Sequence, residues 1–73
     1  MRFVTGLEVL NILRAEGVTM STMDLVQSFA DPEDFETQER YYNAQKTINK
    51  HCNILRKQGY LEHPKVNEWR AKE

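Results

Sequence analysis

Residues 47–62 read Thr47-Ile48-Asn49-Lys50-His51-Cys52-Asn53-Ile54-Leu55-Arg56-Lys57-Gln58-Gly59-Tyr60-Leu61-Glu62. Ile48, Cys52 and Leu55 recur at the spacing that lines one face of an α-helix. Thr47, Asn49, Lys50, Asn53 and Lys57 fall on the other side, a face of amides, a hydroxyl and ammonium groups. Gly59 stops the helix, and residues 60–63 then read as a strand.

Working outward, Tyr41 and Ala44 extend the apolar stripe, which predicts a long third helix from roughly Glu36 or Glu39 to Gln58. Downstream, Pro64-Lys65 is expected to turn the chain and Val66-Asn67-Glu68-Trp69 to return as a second strand. Residues 70–73 read as a frayed polar tail. Upstream, residues 31–39 carry five carboxylates and no cation and read as a loop, with Phe35 expected to pin it to the core. Residues 5–16 read as a first helix, capped by Thr5 with Glu8 as its capping-box partner and stopped by Gly17. Its apolar face is Leu7, Val9, Leu10, Ile12 and Leu13. A short β-like connector, Val18-Thr19-Met20, leads to a second helix that Ser21 and Asp24 cap. This helix turns Met23, Leu25, Val26 and Phe29 inward and ends near Ala30, before Pro32.

The order helix, short strand, helix, long helix, hairpin predicts a mainly α fold with a small β-hairpin, α+β in class. A length of 73 residues predicts one domain over residues 1–73, with its core at about 5–69 and little surface to bury. No apolar run approaches the ~20 residues that span a bilayer. The first six residues lack the pattern of a secretory signal, so a cytoplasmic protein is expected. Cys52 is the only cysteine, which excludes an internal disulfide and a zinc site built on cysteine pairs. The net charge of −1 hides an asymmetry. Residues 1–39 set eight carboxylates against Arg2 and Arg14, whereas residues 40–73 set eight cations against three carboxylates. Charge separated in this way favours one positive face.

The order of elements and the stretch Thr47–Glu62 resemble the winged helix-turn-helix family. In many of its regulators the recognition helix ends in a leucine and a few polar residues, then Gly-aromatic-Leu-Glu, as in Leu55 through Glu62 here. Ile12-Leu13 through Gly17 is similar to that family's first helix and turn, and residues 21–29 to its second helix. The likeness covers about residues 7–69. Two features depart from it. The connection of roughly 30–42 is long and acidic, and the hairpin tip His63-Pro64-Lys65 lacks the arginines that often enter a minor groove.

The resemblance implies a sequence-specific duplex-DNA binder, such as a transcriptional regulator or a recombination accessory factor. A helix in the major groove needs cations for phosphates and amides or hydroxyls for base edges. Asn43, Lys46, Thr47, Asn49, Lys50 and Asn53 supply both. By the family likeness Gln45, Lys46, Asn49 and Lys50 lie near bases, and Arg56, Lys57 and Lys65 near the backbone. Ser21 and Thr22, opening the second helix, are expected to offer amides to a phosphate. Few cations reach from one copy, so specific affinity calls for a homodimer or a larger complex. The first helix, with Phe3 and Val4 before it, is the expected self-association surface, against the plainer reading that Phe3 and Val4 cover the core.

The competing reading is an interaction module, an adaptor or inhibitor that uses the acidic 31–39 segment or the basic third helix. An acidic segment bordering the exposed helix face favours that reading, and an uninterrupted patch of Lys46, Lys50, Lys57 and Lys65 favours DNA. No enzyme, cofactor or small-molecule ligand is expected from so short a chain. His51 and Cys52 are adjacent, so on a helix they point about 100° apart and cannot share a metal or act as a nucleophile pair. The acidic run lacks calcium-loop spacing, and three scattered glycines form no phosphate loop. Of Tyr41 and Tyr42, one is expected in the core and the other exposed to a partner. Cys52, Met20, Met23 and Trp69 are expected to be packing residues.

Overall fold

Helix α1 runs Gly6–Glu16, opened by a capping box and closed by left-handed geometry. Thr5 Oγ1 accepts the Glu8 N–H at 3.2 Å while Glu8 Oε1 accepts the Thr5 N–H at 3.3 Å. Gly17 sits at φ +66° and its N–H returns to the Leu13 carbonyl. The structure is a computed structural model that describes residues 3–72. Met1, Arg2 and Glu73 lie outside the described residues, and with them one end of the expected tail. An added Cβ at Gly17 meets no atom within 4 Å, so the cost of Gly17→Ala is backbone strain alone. A loss of about 1–2 kcal/mol is expected, read as a lower denaturant midpoint at unchanged slope. Gly17→Asn should lose less.

Strand β1, Met20–Ser21, leads into α2, Thr22–Phe29. Ser21 caps α2 as expected, exchanging hydrogen bonds with Asp24. The acidic segment is not a plain loop, because Pro32–Phe35 wind into a 3-10 turn. Asp34 closes that turn by accepting the Asp31 N–H at 2.8 Å. Here the expectation for Phe35 is corrected. Asp34 is the buried residue, and Phe35 stays about half exposed, its ring 5.5 Å from that of Tyr41. Helix α3 then spans Gln38–Lys57, capped by the Thr37 hydroxyl.

Strands β2, Leu61–Glu62, and β3, Glu68–Ala71, complete a three-stranded antiparallel sheet in the order β1-β3-β2. Met20 pairs with Trp69, and Leu61 with Ala71. This corrects the hairpin, whose returning strand lies later than residues 66–69. Arg70 and Ala71 belong to the sheet rather than to a frayed tail, and the Lys72 N–H reaches the Tyr60 carbonyl at 2.9 Å. The turn is correspondingly wider than Pro64-Lys65. It includes Asn67 at φ +61°, a left-handed position that asparagine tolerates.

Among the described residues the fold is mainly helical, with a small antiparallel sheet. One apolar cluster joins Val4, Val9, Leu10 and Leu13 to Leu25, Val26 and Phe29, to Ala44, Ile48, Cys52 and Leu55, and to Leu61 and Trp69. Val4 thus covers the core, whereas Phe3 is 87% exposed. Leu7, expected inside, lies largely exposed, and Met23, also expected inside, is partly exposed. No helix among the described residues is long and apolar enough to cross a membrane.

Cys52 is fully buried, and loss of solvation pushes its thiol up to about 12 from 9.0. Its thiolate is therefore scarce at pH 8, and a disulfide reagent should label the native chain only through unfolding. Below pH 9 this group leaves stability unchanged. Between about 9 and 12 only the unfolded chain releases the proton, so stability falls as pH rises. Labelling as fast as that of a free thiol would contradict this packing.

Candidate nucleic-acid interface

The two sides of α3 divide cleanly. Ala44, Ile48, Cys52 and Leu55 are buried against α1, α2 and the sheet. On the opposite side Lys46, Lys50, Asn53 and Lys57 are all exposed. Their spacing of four, three and four residues stacks them on successive turns over roughly 16 Å of helix. Among the described residues none of these three ammonium groups has a carboxylate within ion-pair distance. Lys46 Nζ stands 5.3 Å from the centre of the Tyr42 ring, a cation–π contact that orients the amine. Tyr42 is the exposed member of the tyrosine pair, and Tyr41 packs against the core.

The flanks of this stripe differ. Asn43 and Thr47 are exposed toward the 3-10 turn, where a hollow of about 310 Å³ is lined by Glu33, Asp34, Arg40, Asn43, Ala44 and Thr47. The Thr47 hydroxyl donates to the Asn43 carbonyl at 3.0 Å. Arg40 stands 3.9 Å from both Glu33 and Glu36, so the acidic turn takes up the first cation of α3. All three side chains are exposed, and such pairs contribute little to stability. The acidic segment thus borders the N-terminal half of the exposed face without covering Lys46 or Lys50.

The other flank faces α2, and two expectations for it are corrected there. Gln45 and Asn49 are half-buried rather than free. Gln45 Nε2 donates to Met23 Sδ at 3.2 Å, and Asn49 Oδ1 accepts from the Thr22 hydroxyl at 2.9 Å. The Tyr41 hydroxyl also donates to Met23 Sδ. Ser21 and Thr22 are corrected as well. The Ser21 N–H donates to Asp24 Oδ2, and the Thr22 N–H donates to the Asn67 carbonyl at 2.8 Å. Neither amide is left for a phosphate, and the Asp24 carboxylate already occupies that helix end. Arg56 and Lys65 are exposed, Arg56 in the last turn of α3 and Lys65 at the hairpin tip.

A second cationic cluster escaped the sequence reading. Arg14, Arg70 and Lys72, with Glu62, Gly17 and Ala71, line a cavity of about 790 Å³ between the end of α1 and the hairpin. Arg70 pairs with Glu62 and holds its carboxyl below the ordinary range. Arg14 lies 5.9 Å from the centre of the Tyr60 ring. No local pattern joins residue 14 to residues 60–72; only the closing of the sheet does. Comparison with protein-family models, curated proteins and solved structures returns no match for this chain.

Proposed function

We propose that this chain is a winged helix-turn-helix domain that binds duplex DNA through the outer face of α3. The observation that carries the reading is the stripe Lys46, Lys50, Asn53 and Lys57, exposed on successive turns, its ammonium groups without a carboxylate at ion-pair distance among the described residues. Cations at this spacing on a rigid helix suit the regular charge of a phosphate backbone, and the amides between them suit base edges. Further support comes from topology. Three helices with a hairpin whose last strand lies between β1 and β2 match the element order that the family likeness implies. On this reading Asn43, Lys46, Thr47, Lys50 and Asn53 face the groove, and Arg56, Lys57 and Lys65 the backbone. A regulator or a recombination accessory factor fits such a domain, acting as a homodimer or within a larger complex.

The experiment is a duplex-DNA titration at two salt concentrations, with wild type beside Lys46→Glu/Lys50→Glu. Salt-weakened binding that the double variant loses supports the reading, and equal binding by both proteins refutes it. One observation favours the second reading, an interaction module. The acidic turn lines the hollow beside Asn43 and Thr47 and lies where phosphate would be repelled. If a protein partner uses this edge, Glu33→Lys/Glu36→Lys should abolish its binding, whereas on the DNA reading the same change tightens duplex binding.

A further inference from the structure

Two parts of the chain depart from the family likeness, the acidic connection and the hairpin tip, and each leaves apolar surface uncovered. In the first, Phe35, Glu36, Thr37, Gln38 and Tyr41 line a notch of about 260 Å³. Phe35 and Tyr41 form its apolar walls, their rings 5.5 Å apart and tilted by 39°. Glu36 belongs to its lining, and residues 31–40 carry five carboxylates against one cation, Arg40. Local hydrogen bonds fix this shape. The Asp31 N–H donates to Asp34, the Glu36 N–H to the Glu33 carbonyl at 3.2 Å, and the Arg40 N–H to the Thr37 hydroxyl at 3.1 Å. At the hairpin tip Lys65 and Val66 are both exposed, Val66 at 81%. The tip is equally fixed. The Glu68 N–H reaches the Lys65 carbonyl at 3.0 Å, and the Asn67 carbonyl accepts the Thr22 N–H. Val66 does not line the notch of its own chain.

Two such notches do not cover each other, because their carboxylates would meet. The complement is an apolar side chain beside a cation, and Lys65-Val66 offers that pair on a projecting turn. Ile54 is also exposed near lysines, but on the side of a helix. We propose that this chain self-associates by seating the hairpin tip of one copy in the Phe35–Tyr41 notch of another, with Val66 against the two rings and Lys65 paired to Glu36. Both surfaces are formed before contact, so little ordering entropy opposes it. Notch and tip are different surfaces. Two copies that exchange tips close a dimer, and copies that do not exchange them extend a row. The inference stands without the DNA reading and supplies the second copy which that reading uses. Where both hold, Lys65 serves the neighbouring copy, and Lys46, Lys50, Arg56 and Lys57 remain for the duplex.

The test is sedimentation equilibrium of the chain alone, without DNA. At concentrations up to roughly 1 mM, as suits so small an interface, wild type should rise above the monomer mass. The rise should be larger at low salt. Glu36→Lys and Lys65→Glu should each weaken self-association about tenfold or more, since each sets like charges against one another. Phe35→Ser and Val66→Ser should weaken it with no change of charge. An equal mixture of the Glu36→Lys and Lys65→Glu proteins should associate as wild type does, because every notch then finds a tip of opposite charge. Urea midpoints close to wild type separate these effects from unfolding. Should Glu36→Lys fail to fold, Lys65→Glu and Val66→Ser carry the comparison. Wild type that stays monomeric overturns the inference and leaves the notch to a cationic segment of another protein. Association that survives the single charge reversals overturns it too, as does a mixture that stays monomeric when each reversal does. A monomer that binds duplex overturns this inference alone, and a self-associating chain with no duplex affinity overturns the DNA reading alone.

Discussion

Trp69→Ala should leave the chain largely unfolded at 25 °C. Trp69 is 2% exposed and is the largest of the fully buried side chains. It pairs in register with Met20, stacks its ring 4.2 Å from that of His63, and anchors the Thr22 hydroxyl. Removing a buried tryptophan costs about 3–5 kcal/mol through lost contacts and the cavity left behind. A core in a chain of this size seldom supplies more than about 3–5 kcal/mol in all, so this one substitution is comparable to the whole stability. The measurement is far-UV circular dichroism with urea, since the substitution removes the only tryptophan. A cooperative transition near the wild-type midpoint would show that Trp69 is peripheral. Val66 is three residues away but 81% exposed, and Val66→Ala should shift stability by less than about 0.5 kcal/mol.

Lys46→Glu/Lys50→Glu should lower duplex affinity on the order of a hundredfold or more at low salt. Two charge-assisted contacts at about 1.5 kcal/mol each are lost, and two carboxylates are placed where phosphates would lie. The slope of log K against log salt should shrink by roughly two, at about 0.9 per phosphate contact. Both side chains are exposed, so the urea midpoint should hardly move, which separates a binding defect from unfolding. Arg14→Glu/Lys72→Glu changes the net charge equally but lies off α3. If that variant lost as much affinity, total charge rather than the α3 stripe would govern binding.

The helices were legible because their signals are local. Thr5 with Glu8 and Ser21 with Asp24 mark helix starts within four residues, and both capping boxes form. Cys52 and Ile48 could be placed in the core because helical period alone ties them to Leu55. The end of β3 was not legible. Arg70 and Ala71 are unremarkable in composition, and only the register with Leu61 and Glu62 makes them a strand. Asn49 and Gln45 show a different limit. The helical period puts them beside Lys46 and Lys50, at the border of the polar face. Whether a border residue meets water or a neighbouring helix depends on where α2 packs.

Sequence alone determined that there are three α-helices, where α1 and α2 begin, and which side of α3 avoids water, because capping and periodicity act over a few residues. Tertiary structure decided what each polar side chain does once there. It joined Thr22 to Trp69 and Asn49, set the acidic turn beside Asn43, and gathered Arg14 with Arg70 and Lys72. Those contacts link positions far apart in the chain, and their partners are chosen by packing and by the need to satisfy buried donors, neither of which leaves a local pattern.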